Sequence, residues 1–157
     1  MSGINTVYIP LLWGGFNLVK SLGNYPAGII ADSLGRKSII ISGWILYSII
    51  YFLFGLVNSP ITVTSILLLY GLYYSLTEGI ERAYIADMVA PELRGSAYGL
   101  YNFAIGISAL PASLLFGYIW EKFSYKAAFF TGSFLSLSAL IIFLLTQDVL
   151  RTNRKER

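Results

Sequence analysis

Residues 38–57 read SIIISGWILYSIIYFLFGLV and contain no charged side chain. A helix of this length crosses roughly 30 Å of hydrocarbon, and its apolar residues are not gathered into one stripe with a polar face opposite. The stretch, Ser38 to Val57, therefore predicts a membrane-spanning helix. Four further apolar runs flank it: Val7 to Ile30 before it, then Ile61 to Val89, Gly95 to Trp120 and Ala127 to Gln147. Polar breaks separate them at Asp32 to Lys37, Asn58-Ser59-Pro60, Ala90 to Arg94, and the charged link Glu121 to Lys126. Pro60 favours a helix start, and the Asn-Ser pair before it favours a turn. The pattern predicts an all-α membrane protein with five transmembrane helices.

Composition agrees with this class. Of 157 residues, 56% are hydrophobic and 12% charged, against about 25% charged in a soluble domain. Cysteine and histidine are absent, which removes disulfides, thiol nucleophiles and the commonest metal ligand and general base. Met1 to Thr6 carries no basic segment of the kind that opens a cleavable signal peptide. The net charge of +3 comes from residues at the ends of the apolar runs and in the tail, a topology signal and not a nucleic-acid surface. If five helices alternate in direction, Arg36, Lys37, Arg94, Arg151, Arg154, Lys155 and Arg157 share one side, which the positive-inside rule makes cytoplasmic. The C-terminus is then inside and the N-terminus outside, with Lys122 and Lys126 on the outer side. Export of a bare N-terminus makes a missing upstream helix the more economical expectation.

The stretch Gly28-Ile29-Ile30-Ala31-Asp32-Ser33-Leu34-Gly35-Arg36-Lys37 resembles the signature loop G-x-L-A-D-R-x-G-R-K of the major facilitator superfamily. Ile30 replaces a leucine conservatively, and Ser33 stands where an arginine is common. Leu76 to Ala83, Ala90 to Gly95 and Tyr98 to Asn102 are also similar to this superfamily, as the fourth and fifth helices of one half with their cytoplasmic link. The resemblance implies helices eight to twelve of twelve. Residues 1–150 are then a partial C-terminal transmembrane domain and 151–157 a basic cytoplasmic tail. Helix seven and the N-terminal half are expected to be missing. It also implies a conformational gate at Gly28, Asp32, Gly35, Arg36 and Lys37. Glycine permits a tight turn there, and Asp32 can meet positive groups or a helix N-terminus. Glu81, Arg82, Asp87 and Arg94, toward the cytoplasmic end, join a structural or gating network.

Polar side chains inside the spans supply the candidate site. Asn17, Lys20 and Asn24 share one face of the first helix; Tyr70, Tyr74, Thr77, Glu78, Glu81 and Arg82 form a broad stripe on the third. Ionisable groups at this depth face a cavity or a partner, so Asn17, Lys20, Asn24, Tyr74, Glu78 and Asn102 are candidates for substrate or coupling-ion binding. The alternative is a pair that merely orders the helices. Lys20 lies roughly 21 Å below its helix start and Glu78 roughly 24 Å below its own. They are expected to pair, with Asn17 or Thr77 as hydrogen-bond neighbours. On the fourth helix Gly95, Gly99, Asn102, Gly106, Ala109, Ser113 and Gly117 recur at spacings of four and three, a smooth face for close helix packing. It is either a sliding surface against the missing half, favoured by the resemblance, or a static contact within this half. Pro111 can permit a bend. The aromatic residues fit a cavity for aromatic or cationic substrates, or, more commonly, lipid contact, with Trp44, Tyr118 and Trp120 as interfacial anchors.

The resemblance implies secondary active transport of a small solute by alternating access, with protons as coupling ion and efflux as one direction. The protein would be multi-pass in the cell membrane, with lipid bilayer, solute, protons and the missing N-terminal half as partners. No nucleic acid, cofactor or metal is implied. A non-transporting membrane fragment or assembly module is the competing reading. An enzyme is disfavoured: Glu78 and Glu81 have no nucleophile or metal set beside them, and no Walker-type loop is present.

Overall fold

The computed structural model describes the backbone of residues 6–155 and the side chains of residues 7–146. After a 3-10 turn, Thr6–Tyr8, the chain forms α1 (Ile9–Leu34), α2 (Arg36–Leu56) and α3 (Pro60–Met88). A second short turn, Pro91–Leu93, leads to α4 (Arg94–Lys122) and α5 (Tyr125–Lys155). No strand occurs among the described residues. Hydrocarbon offers backbone amides no water, so each apolar run closes its hydrogen bonds within itself as a helix, even where isoleucine is as frequent as in α2. The helices α2 to α5 are each long and apolar enough to cross a membrane. α1, with 26 residues, carries Asn17, Lys20 and Asn24 within its length. α4 continues unbroken through Pro111.

Three boundaries differ from the sequence expectation, the first being the Glu121 to Lys126 link, which shrinks to Phe123 and Ser124 between α4 and α5. The break between the first two helices is not a loop from Asp32 to Lys37: α1 continues through Leu34, α2 begins at Arg36, and Gly35 alone turns the chain. Gly35 has φ 87°, the only positive φ among the described residues. A side chain there would press Cβ against the backbone, so Gly35→Ala is expected to lower stability by about 1–2 kcal/mol. Thermal unfolding in detergent checks this; an unchanged midpoint would contradict it. At the other end, α5 runs on to Lys155, so the backbone of residues 151–155 is helical where a polar tail was expected. Residues 156–157 and the side chains of the whole tail lie outside the described residues.

Connections this short force successive helices to run antiparallel. α2 is the centre, packed between α3 and α5, while α1 lies along α3 and α4 lies on α5 with a lighter contact to α3. Close packing comes from small residues. A Cβ on Gly71 would stand 2.8 Å from the carbonyl oxygen of Phe16, and one on Gly43 would strike Thr77. Gly55 receives Phe130, and Gly132 receives Tyr51. Ser48 and Ser133 exchange hydrogen bonds across α2 and α5: Ser48 Oγ donates to the Ser133 carbonyl at 3.1 Å, and Ser133 Oγ to the Ser48 carbonyl at 2.8 Å. At the cytoplasmic end Ala27, Ala31, Ile39, Ile40 and Ile80 form a closed apolar cluster. On the outer side the Tyr125 hydroxyl donates to Asn58, tying the start of α5 to the α2–α3 turn.

The small-residue face of α4 plays no part in this packing. α4 has no buried residue, and a Cβ at Gly95, Gly99, Gly106 or Gly117 would meet open space. Ala109 and Ser113 are exposed as well. The stripe makes no close packing contact within this half: Gly95, Gly99 and Gly106 meet open space, while Ser113 and Gly117 line a cavity shared with α2 and α5.

Candidate functional site

Lys20 of α1 and Glu78 of α3 form an ion pair. Parallel helices with a constant rise bring the two positions to one depth, as the sequence spacing predicts. The pair is part-exposed: the side chains are 27% and 39% exposed, while Glu78 Oε2, the oxygen that faces Lys20, is buried. The Lys20 ammonium also stands over the Tyr74 ring, 5.4 Å from its centre, where the ring's negative face adds to the attraction. One turn toward the cytoplasm, Arg82 Nη2 lies 4.0 Å from Glu78 Oε1. Toward the outer side an aromatic wall continues from the pair. Tyr74 meets Phe16 edge-on at 5.6 Å, Tyr70 lies 5.9 Å from Phe16, and Phe16 stacks on Trp13 at 5.2 Å.

The expected neighbours of the pair are placed differently. Asn17 donates to the Trp13 carbonyl at 2.8 Å within its own helix. Thr77 is buried, donates to the Tyr73 carbonyl at 3.0 Å, and faces Gly43 of α2. Tyr74, not a hydroxyl or amide, flanks the lysine. Asn24 is exposed on α1, and Asn102 is exposed on α4 outside this cluster. The stripe read on α3 thus divides in two: Tyr74 and Glu78 turn to α1, while Thr77 and Glu81 turn to α2.

Glu81 has neutral donors on both oxygens. Trp44 Nε1 donates to Oε1 at 2.9 Å, and the Tyr101 hydroxyl donates to Oε2 at 2.5 Å. This links α2, α3 and α4. Trp44 is therefore not an interfacial anchor: its indole points into the bundle. Tyr118 and Trp120 are 58% and 49% exposed, as anchors would be. The signature segment makes a separate network at the cytoplasmic end. Arg36 Nη1 donates to Asp87 Oδ2 at 2.6 Å and to the Ala83 carbonyl at 2.8 Å, while Asp32 Oδ1 lies 3.7 Å from Arg36 Nη2. Lys37 stands over the Phe143 ring at 5.9 Å. Gly28 lies inside α1 with no atom within 4 Å of a Cβ position, so it makes no tight turn. Arg94 is exposed at the start of α4, outside this network.

Apart from Tyr70 and Tyr74, the sequence reading missed the internal tyrosines. Tyr47 and Tyr51 of α2 stack at 4.2 Å and meet Tyr70 and Tyr73 of α3, which stack at 5.6 Å. Their spacings of three and four put them on single helix faces, a signal lost among the many other aromatic residues. Beside them a cavity of ≈ 660 Å³ opens between α2, α4 and α5, lined in part by Trp44, Tyr47, Tyr51, Tyr73, Ser113 and Phe116.

Known proteins agree with the architecture. The family model described as Major Facilitator Superfamily matches residues 3–157. An uncharacterised MFS-type transporter of Methanocaldococcus jannaschii is 34% identical over 129 residues, 82% of this chain and 32% of that protein. A probable 4-methylmuconolactone transporter of Cupriavidus pinatubonensis is 26% identical over 89% of this chain and 33% of its own length. A cis,cis-muconate transport protein of Acinetobacter baylyi is 32% identical over 60% of this chain and 24% of its own length. The chain thus spans about a third of the curated relatives it matches, 32% to 40% of the first two. No solved structure matches it. With four helices long and apolar enough to cross a membrane among the described residues, the signature segment at the α1–α2 junction and a family match along nearly its whole length, this chain belongs to the Major Facilitator Superfamily and is an integral, multi-pass membrane protein.

Proposed function

We propose that the chain forms part of a two-half secondary transporter that moves a small solute by alternating access, with protons as the coupling ion. The observation that supports this best is the Lys20–Glu78 pair, two opposite charges within long apolar helices whose side chains stay 27% and 39% exposed. A pair serving only to pack helices gains from being closed off; an open one is accessible to a solute or a proton. Lys20, Tyr74 and Glu78 form the centre of the binding face, with Asn17 and Asn24 along the same helix. The uncovered stripe on α4, including Gly95, Gly99, Asn102 and Gly106, suits a surface against the other half of the transporter. The Asp32–Arg36–Asp87 network joins α1, α2 and α3 where a cytoplasmic gate would act. Relatives named for muconate and 4-methylmuconolactone transport are in keeping with a small organic solute.

The test is uptake into proteoliposomes by the complete transporter that contains this chain, under an imposed pH gradient. Solute accumulation that collapses with a protonophore is expected. Asp32→Asn is expected to lower the maximal rate by roughly an order of magnitude with half-saturation changed by less than about twofold, because it alters cycling and not the binding face. Absence of gradient-driven accumulation across organic acids, amines and neutral solutes would overturn the transport reading.

A further inference from the structure

Side chains tie α4 to its neighbours by rings toward its outer end and by a hydrogen bond toward its cytoplasmic end. Phe116 meets Phe129 of α5 at 5.3 Å and Tyr51 of α2 at 6.5 Å, and Trp120 meets Phe129 and Tyr125 of α5 at 5.9 and 6.0 Å. At the other end the Tyr101 hydroxyl donates to Glu81 Oε2 at 2.5 Å. The two ties stand about 22 Å apart along the helix. Between them α4 has no buried residue to fix it by packing, and it carries Pro111, which removes one backbone hydrogen bond from the helix. The two donors on Glu81 also differ. Trp44 is fixed in the bundle: its indole donates to Glu81 Oε1 at 2.9 Å, its ring meets Phe143 of α5 at 5.3 Å, and its carbonyl accepts from Ser136 Oγ at 3.3 Å. Tyr101 belongs to the loosely packed helix. Hydrogen bonds to an ionised acceptor are stronger than those between neutral groups, so the Tyr101 bond is a large part of what holds that end of α4.

Resting on the transport reading, we propose that Glu81 is a latch for α4: its bond to Tyr101 holds the cytoplasmic half of α4 against α2 and α3 in this conformation, and the transport cycle breaks that bond while the bond to Trp44 stays. Glu81 and Tyr101 are then positioning residues. They act through the face that α4 turns to the other half of the transporter, whereas the Lys20–Glu78 pair lies on the α1 side of α3. When the bond opens, the cytoplasmic half of α4 moves about the ring contacts of Phe116 and Trp120, with Pro111 as the bending point between the two ties. Water from the cytoplasmic side takes the place of the phenol on Glu81. The carboxylate is hydrogen-bonded in both arrangements, so the two differ little in free energy and a cycle can populate each. No proton moves in this step.

The test places spin labels at Ile49→Cys on α2 and Leu100→Cys on α4, which are 48% and 70% exposed. This chain has no cysteine of its own, and the complete transporter is used with any other cysteine replaced. Two interspin distances are expected, the shorter for the latched α4. Tyr101→Phe keeps the ring and removes only the hydroxyl; it should lower the ratio of short to long distance about tenfold, the effect of one hydrogen bond to a charged group. Glu81→Gln should shift the ratio in the same direction. Trp44→Phe should lower thermal stability but leave the ratio unchanged or raised, since Tyr101 still holds the carboxylate. In uptake, Tyr101→Phe should change the maximal rate by about threefold or more with half-saturation within about twofold, a split that a merely structural bond would not give. A single distance in the unmutated latch, a ratio unmoved by Tyr101→Phe, or an equal fall in Trp44→Phe overturns the proposal. If no solute accumulates under the pH gradient while Tyr101→Phe still shifts the ratio, the latch stands as a conformational switch and the transport reading falls. If solute accumulates and the ratio does not move, the transport reading stands and the latch falls.

Discussion

Lys20→Met alone is expected to lower both the folded yield and the transport of the complete protein, and adding Glu78→Gln to restore the yield but not the transport. The reason is the asymmetry between a pair and its remainder. Removing one charge leaves the other in a low-dielectric region without its counter-charge, whereas removing both leaves two neutral side chains of similar size. A fully buried pair loses about 3–5 kcal/mol when broken on one side. Here the side chains are 27% and 39% exposed, and Arg82 remains near Glu78. A coupling of about 1–3 kcal/mol between the two sites is therefore expected. Uptake should fall more than about tenfold in both single variants and in the double variant, because the working charge is gone in each. A double-mutant cycle scoring thermal stability and initial uptake rate measures both effects. Additive stability losses would rule out direct coupling.

The second large effect distinguishes two sets of glycines. Gly71→Ala places a methyl group 2.8 Å from the Phe16 carbonyl oxygen and 3.3 Å from Val19 Cβ. The obstacle is backbone, so α1 must move away from α3, and the Lys20–Glu78 pair opens with it. A loss of about 1–3 kcal/mol is expected, as for overpacking elsewhere. Gly106→Ala meets open space on α4 and should leave the stability of this chain unchanged or slightly raised, since alanine favours the helix. In the complete transporter Gly106→Ala should instead slow uptake, if that face slides against the other half. Thermal unfolding of the two variants, side by side with uptake, checks the contrast. Equal destabilisation by both would show that α4 packs through its stripe after all.

The contrast also shows where sequence pattern stops being informative. The α4 stripe is the most regular small-residue pattern in the chain, yet none of its four glycines touches a neighbour. Those that do, among them Gly23, Gly43, Gly55, Gly71 and Gly132, are scattered over four helices and form no regular stripe. Trp44 resembled an interfacial anchor from its place near a helix end, and Thr77 resembled a neighbour of the ion pair from its place beside Glu78. Each was decided by the rotation of its helix about its own axis. Helix α3 turns Thr77 and Glu81 toward α2 and leaves Tyr74 and Glu78 beside α1, a division of one stripe that spacing alone did not resolve.

What the sequence determined by itself was local or one-dimensional: five helices, the direction to be expected of them, the family signature, and the common depth of Lys20 and Glu78. These follow from apolar length, the obligation of each backbone amide to bond within its own helix, the placement of basic residues, and a constant rise per residue. Only the tertiary structure decided which helix faces meet, which glycines are pressed, which donors hold Glu81, and that the face of α4 stays open. In water an apolar stripe orients a helix toward its core, but in hydrocarbon a helix is apolar on nearly every side and hydrophobicity favours no rotation. Fit between small surfaces, and a few hydrogen bonds and charges, choose it instead.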